Sequence, residues 1–387
     1  MNEVRIGVIG LGNMGATHAR TLLEGKVPGA VLSAVSDVVD RRFPDFPVPS
    51  FLNSTDLIRS GLVDAVIIAT PHFSHTSTGI EALEAGLHIV VEKPISAQKS
   101  DCERLIAAHR DPKQIFCAMF NQRTDPRYRK VRDLIQQGEL GEIRRINWII
   151  TDWFRTNAYY GSGGWRATWA GEGGGVLLNQ APHNLDLWQW LFGMPRRIRA
   201  FCKFGKYHPI EVEDDVTAYM EYDNGTTGVL ITTTGEAPGT NRLEITGDRG
   251  RLLVENGKLL FTRNEIPMDE FNRTSGESFG RPPVWNVEIP VPVASPGGQH
   301  QLILENFVSA IREGTPLLAP ATEGIHSVEL ANAMLLSTFE DRTLTLPLDA
   351  AAYEAALNEK IRNSNLETKK AVPVSIASGD FAKSFGR

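Results

Sequence analysis

The chain has 387 residues, 42% hydrophobic and 22% charged, enough for two domains with sizeable cores. A formal charge of -6 argues against a nucleic-acid partner, which needs a basic face, and no apolar run approaches the ~18 residues of a membrane span. The opening MNEVRIGVIG enters an apolar strand without the basic and cleavage regions of a secretory signal, so a cytoplasmic location is expected.

In chain order, VRIGVIG (4–10), VLSAVSD (31–37), VDAVIIAT (63–70), HIVVEKP (88–94) and IFCAMFN (115–121) read as buried parallel strands. GATHARTLLEG, STDLIRSG, TSTGIEALEAG and SDCERLIAAHR lie between them with helical spacing. This alternation predicts a doubly wound parallel sheet over residues 1–121. The texture changes from residue 122. DPRYRKVRDLIQQGELGEI is an amphipathic helix ending at a glycine turn, and a strand is expected from Ile143 to Trp153. Asn224-Gly225 sits between two alternating strands and signals a hairpin. Residues 122–362 therefore read as an α/β domain with a large open, mostly antiparallel sheet. Helices at 171–192 and 300–313 are expected to cover one face, leaving the other for a homodimer or homotetramer. Residues 363–387 show no period and read as a tail. Cys102, Cys117 and Cys202 have no metal-ligand spacing and read as reduced thiols.

GVIGLGNMGATHA places Gly10, Gly12 and Gly15 in G-x-G-x-x-G spacing, after a strand and at the start of a helix. Gly10 permits the turn, Gly12 admits a pyrophosphate, and Gly15 lets helix and sheet approach; Leu11, Asn13 and Met14 supply the intervening backbone. Asp37, 22 residues beyond Gly15, is placed to accept both ribose hydroxyls of NAD and to repel the 2′-phosphate of NADP, although Arg41 and Arg42 soften that exclusion.

With Glu92-Lys93-Pro94 the set of motifs resembles the Gfo/Idh/MocA oxidoreductases. The pieces are GLGNMG, ATPHFSH (69–75), VEKP, FNQR (120–123), GELGEI (138–143), GGWRA (163–167), GGGVLLNQAPHNLD (173–186), EDDVTAYMEYDNG (213–225) and LEITGDRGRL (243–252), in the family's order. The resemblance implies a Rossmann domain followed by an α/β domain, with hydride transfer between them. It implies that Lys93 and His183 are catalytic. Thr70, Pro71, His72, His75, Glu92, Lys93, Asn121, Trp165 and Arg166 become cofactor candidates by the same likeness. Many relatives carry aspartate four residues before the histidine; this chain carries Asn179, as in a branch with N-Q-x-x-H.

Oxidising a secondary alcohol requires a base and a group that stabilises the developing alkoxide. His183 suits the first task and Lys93 the second. Asn179 and His183 are four apart, hence on one helical face if the helix runs through Pro182, and the neutral amide is expected to orient substrate hydroxyls. TDWFRTNAYYGSGGWRATW (151–169) mixes aromatic and polar groups as a polyhydroxylated ring requires, making Asp152, Arg155, Tyr160 and Arg166 substrate candidates beside Lys93, Asn179 and His183. Arg123 and His300 complete that set. EVEDD (211–215) reads as a solvated strand start, with no metal site. The expected activity is NAD-dependent oxidation of a hydroxyl on a sugar, glycoside, sugar acid or inositol. The alternatives are a glycosidase or lyase working through transient C3 oxidation, and a non-catalytic regulator that binds dinucleotide or sugar.

Overall fold

The computed structural model describes residues 3–292 and 298–364. Its first sheet comprises β1 (Val4–Ile9), β2 (Ala30–Ser36), β3 (Ser50–Phe51), β4 (Ala65–Ile68), β5 (His88–Val91) and β6 (Phe116–Ala118). They are all parallel, in the order β3-β2-β1-β4-β5-β6. Every residue of β4 is buried, as a strand covered on both faces requires, so its sequence is a continuous apolar run. Strand order reverses between β1 and β4, which opens a crevice at the strands' C-terminal ends. The segments following β1, β4 and β5 all emerge there.

The second sheet comprises β7 (Ile143–Ile150), β8 (Arg197–Phe204), β9 (Glu213–Glu221), β10 (Thr227–Thr233), β11 (Asn241–Gly247), β12 (Gly250–Glu255), β13 (Lys258–Asn264), β14 (Val284–Ile289) and β15 (Leu344–Thr345). Its order is β14-β13-β12-β11-β7-β10-β9-β8-β15, antiparallel except for the β7–β10 pair. The Asn224-Gly225 hairpin joins β9 to β10, with Gly225 at φ +85°. One face packs under helices Pro182–Phe192 and Gly324–Phe339. Trp188 from the first stacks on Trp148 of β7 at 6.5 Å. A Cβ on Gly228 of β10 would lie 2.6 Å from the Trp188 ring, so this mid-strand glycine seats an indole. Phe201, Tyr219 and Trp285 remain exposed on this sheet.

Three expectations are corrected. Helix Gly298–Glu313 does not cover the second sheet; Ile303, Leu304, Phe307 and Val308 join the core of the first domain. An amphipathic stripe specifies an apolar face, not which sheet it will meet. The stretch 171–192 is three helices, Trp169–Glu172, Val176–Asn179 and Pro182–Phe192. Gly173 ends the first in the left-handed region, and Pro182 begins the third. Within EVEDD, Glu213 and Asp214 are fully buried. Glu213 accepts the Gly175 and Leu177 N–H groups at 2.8 and 3.0 Å, and Asp214 accepts those of Lys206, Tyr207 and His208. Unpaired backbone donors drew both carboxylates inside. The three cysteines are buried and free. The expected tail lies outside the described residues beyond Ser364.

Candidate active site

A cavity of about 1040 Å³ separates the two sheets. From the first domain it is lined by Gly10, Gly12, Asn13, Met14, Asp37, Thr70, Pro71, His72, His75, Glu92 and Lys93. Trp153, Arg155, Tyr159, Trp165, Arg166, Asn179, Gln180 and His183 face them from the second.

The glycine turn has the sterics its spacing implied. Gly10 has φ +88°, and a Cβ there would lie 2.7 Å from the Ala69 carbonyl oxygen. A Cβ on Gly15 would meet Gly10 O at 1.7 Å, whereas a Cβ on Gly12 would meet nothing within 4 Å. Gly12 caps helix Asn13–Leu23 without a side-chain hydrogen bond, leaving its first N–H groups open to an anion. Asp37 accepts the Leu11 N–H at 2.6 Å and the Val39 N–H at 3.0 Å, which fixes its carboxylate at the cavity rim. An open helix start, a glycine facing empty space and a fixed carboxylate fit a dinucleotide.

Lys93 follows β5 and reaches across the cavity. Its Nζ donates to the Asn179 carbonyl oxygen at 2.9 Å, and its backbone N–H donates to Glu92 Oε2 at 3.1 Å. Glu92 Oε1 lies 2.7 Å from His18 Nε2, both side chains being buried. His18 and the neighbouring charges hold the Glu92 carboxyl down at about 2, despite burial. Burial pushes the Lys93 ammonium below its ordinary value, with Arg166 and Arg155 adding to that and Glu92 and Glu172 opposing it.

His183 stands in the first turn of Pro182–Phe192. It is buried, and among the described residues neither ring nitrogen has a hydrogen-bond partner. Burial, then Lys93 and His300, lower its pKa well below the ordinary value, so the imidazole is neutral. Phe120 packs edge-on at 6.5 Å. A buried imidazole with both nitrogens unpaired at a cavity wall is an unmet demand for a polar ligand atom.

Asn179 and His183 do not share one helix, because the chain breaks at Gln180-Ala181. The Asn179 side chain is already engaged. Nδ2 donates to Glu172 Oε1, and Oδ1 accepts from Tyr159 OH at 3.0 Å and Gln180 Nε2 at 2.9 Å. Tyr159 OH also accepts from Arg166 Nη1 at 2.7 Å and Gln180 Nε2 at 3.1 Å. Behind this network Glu172 is buried, with Oε2 accepting the Ala167 N–H at 2.6 Å.

Seven sequence candidates lie off the cavity wall, Leu11 and Gly15 within the glycine turn and five others away from it. Arg123 is a brace: it donates to Asp186 at 2.8 and 2.6 Å, to Glu323 at 2.5 Å and to Leu318 O at 3.2 Å. Removing one member of such a buried pair costs about 3–5 kcal/mol. Tyr160 is turned inward, bonded to Thr234 Oγ1 at 2.7 Å and packed on His208. Asn121 donates to Gln299 Oε1 at 3.2 Å, and His300 packs near His18 at 5.8 Å. Asp152 is also off the wall. Thr70, Pro71, His72 and His75 do line it. Both ring nitrogens of His75 lie 2.8 Å from carbonyl oxygens, of Pro94 and Thr70. His72 meets Glu172 O at 3.0 Å, and burial drives its pKa to about 3.

Tyr159, Glu172, Gln180, Trp153 and His18 are the site groups that sequence reasoning passed over. Glu172 had a visible signal, being the one charge inside GEGGG. Tyr159 was obscured by its neighbour: adjacent helical residues point about 100° apart, and the sequence does not say which tyrosine faces the cleft.

Residues 4–120 match the model of an oxidoreductase family with an NAD-binding Rossmann fold, and residues 128–253 match the GFO/IDH/MocA C-terminal domain. The chain belongs to the Gfo/Idh/MocA oxidoreductases. Among its relatives in the family, inositol 2-dehydrogenase 2 of Paenarthrobacter aurescens is 26% identical, over 88% of this chain and 98% of that one. The levoglucosan dehydrogenase of Pseudarthrobacter phenanthrenivorans is 24% identical, over 90% and 99%. The WlbA dehydrogenase of Chromobacterium violaceum, solved with NADH and UDP-GlcNAcA, superposes with a TM-score of 0.75 at 26% identity, covering 90% and 97%. As a Gfo/Idh/MocA member the chain is an NAD-binding oxidoreductase. Among the described residues no helix is long and apolar enough to cross a membrane.

Proposed function

We propose that this chain oxidises a secondary hydroxyl of a sugar, glycoside, sugar acid or inositol, or reduces the matching ketone, with Lys93 and His183 handling the proton and the alkoxide. The observation that carries this reading is the pair itself: a neutral His183 without a hydrogen-bond partner among the described residues and a Lys93 ammonium, on the wall of one cavity. A nicotinamide bound in that cavity supplies the hydride acceptor or donor. His183 takes the hydroxyl proton, a task for which a neutral imidazole is ready. Lys93 donates a hydrogen bond to the same oxygen as negative charge grows on it, and the Asn179 carbonyl holds the ammonium in place. Trp153 and Trp165 offer apolar faces to the C–H side of a ring. Relatives named for inositol and levoglucosan support a cyclic polyhydroxyl substrate.

Asp37 supports NAD over NADP, because a fixed carboxylate at the rim repels a 2′-phosphate. Asn179-Gln180 ahead of His183 supports placing the chain in the N-Q-x-x-H branch, and in this chain the charge beside the amide is carried by Glu172. The exposed Phe201, Tyr219 and Trp285 support pairing of two or four copies through the second sheet, and we assign the protein to the cytoplasm. The test is a panel of cyclic polyols and glycosides with NAD and NADP, followed by nicotinamide absorbance. NADH forming in step with substrate loss is expected. If the chain binds NAD yet His183→Ala leaves every measured rate unchanged, the catalytic assignment is wrong.

A further inference from the structure

Lys93 is a buried amine that must keep its proton to steady an alkoxide. Burial works against the ammonium, and so do Arg166 and Arg155 from the second domain. His72, His75, His183 and His300 also lie within reach of its charge, and burial lowers the pKa of each, leaving these imidazoles neutral. Two carboxylates favour the charged form. Glu172 acts from the second domain, where it accepts from the Ala167 N–H and from Asn179 Nδ2. Glu92 acts from the neighbouring position in the chain, and its effect is the larger.

The surroundings of Glu92 keep it ionised. Oε2 accepts the Lys93 N–H at 3.1 Å, and Oε1 lies 2.7 Å from His18 Nε2, with both side chains buried. An ionised carboxylate only accepts, so Nε2 is the donor of that bond. Burial by itself would raise the Glu92 carboxyl, but the His18 bond, with His300 and Lys93 nearby, holds it at about 2. His18 stands on helix Asn13–Leu23, which the glycine turn opens. That helix is packed so closely on the turn that a Cβ on Gly15 would lie 1.7 Å from Gly10 O. The donor that fixes Glu92 therefore comes from a rigid element.

We propose that Glu92, anchored by His18, is a positioning residue whose fixed negative charge keeps Lys93 an ammonium, and that His18 ties this charge to the helix opening on the dinucleotide. This rests on the Lys93–His183 reading above and adds to it the source of the lysine's charge. A neutral amine would still donate to the reacting oxygen, but a bond between charged partners is roughly twice as strong.

The test follows Lys93 directly in the full chain, by acetylation with acetic anhydride over a range of pH and mass spectrometry of the peptide that holds it. Glu92→Gln keeps an acceptor for the Lys93 N–H and a partner for His18 while removing the charge. It is expected to move the labelling midpoint down by about one pH unit or more. The alkaline limb of kcat/KM should move down with it, because activity is lost as pH rises through the Lys93 pKa. His18→Gln, which keeps an N–H towards Glu92, should stay near wild type. His18→Phe leaves the buried carboxylate unpaired, so that it takes up a proton, and should reproduce Glu92→Gln. An unmoved midpoint in Glu92→Gln, with the melting profile intact, overturns the proposal; should that variant not fold, an unmoved midpoint in His18→Phe does so. His18→Gln behaving like His18→Phe removes His18 from it. Turnover separates this claim from the one it rests on. A lowered midpoint with an unchanged rate profile upholds the role of Glu92 and sinks the catalytic role of Lys93; an unmoved midpoint with a shifted rate profile does the reverse.

Discussion

Replacing Asn179 with aspartate exchanges a donor for an acceptor at the most crowded polar contact of the site. The wild-type Nδ2 donates to Glu172, whose side chain is buried. In Asn179→Asp two carboxylates would face each other there. Fully ionised at about 3 Å, they repel by about 5 kcal/mol even at an effective dielectric near 20. Keeping one proton on the pair at pH 7 costs less, about 4 kcal/mol relative to an ordinary aspartate near pH 4, and restores a donor to Glu172. Proton retention therefore wins, and the variant loses about 3–4 kcal/mol of stability at pH 7. The sign follows from a folded-state pKa raised above the unfolded one: the penalty is absent below the unfolded value and grows as pH rises towards the folded value. Within that window it increases by about 1.4 kcal/mol per pH unit. Urea unfolding of wild type and variant, followed by tryptophan fluorescence, should show the gap widening by about 2.7 kcal/mol between pH 6 and pH 8. A gap that does not change with pH would refute the claim that Asn179 is there to donate to an ionised Glu172.

Because burial lowers the His183 pKa well below 6.5, the acid limb of kcat/KM that reports this base should fall below pH 6.5. A limb at or above that value counts against a desolvated His183, and His183→Ala should lower kcat by about 10²–10⁴. Gly12→Ala and Gly15→Ala form a contrasting pair, since a Cβ meets nothing within 4 Å at Gly12 but lies 1.7 Å from Gly10 O at Gly15. Calorimetry should find Gly12→Ala folded with weakened NAD binding, and Gly15→Ala destabilised by more than about 1 kcal/mol; equal destabilisation would show that the space around Gly12 is not kept for a ligand. Asp37→Ala should raise KM for NAD about tenfold or more and narrow its advantage over NADP, and an unchanged ratio would remove Asp37 from cofactor choice.

Much of this molecule was legible from local pattern. A strand buried on both faces must be apolar along its length, so β1, β4 and β5 stood out, and the glycine spacing followed from contacts made within the same turn and with its neighbouring strand. Lys93 and His183 were singled out because their motifs resemble the family's, and both line the cavity. Long-range partnership was not legible. Arg123 looked like a substrate contact until Asp186 and Glu323, distant in sequence, closed on it. Glu213 and Asp214 looked solvated until the backbone donors of Gly175 and of 206–208 took them inward.

The sequence by itself determined the order of elements and the glycine turn and singled out Lys93 and His183 as candidates, because each depends on residues close in the chain or on side-chain chemistry alone. Tertiary structure decided which tyrosine of Tyr159-Tyr160 faces the cavity and which domain receives helix Gly298–Glu313. It also decided that the Asn179 side chain serves Glu172 and Tyr159 while its carbonyl serves Lys93. Those outcomes turn on the direction of a side chain and the surface opposite it, and both are set only when distant segments have packed.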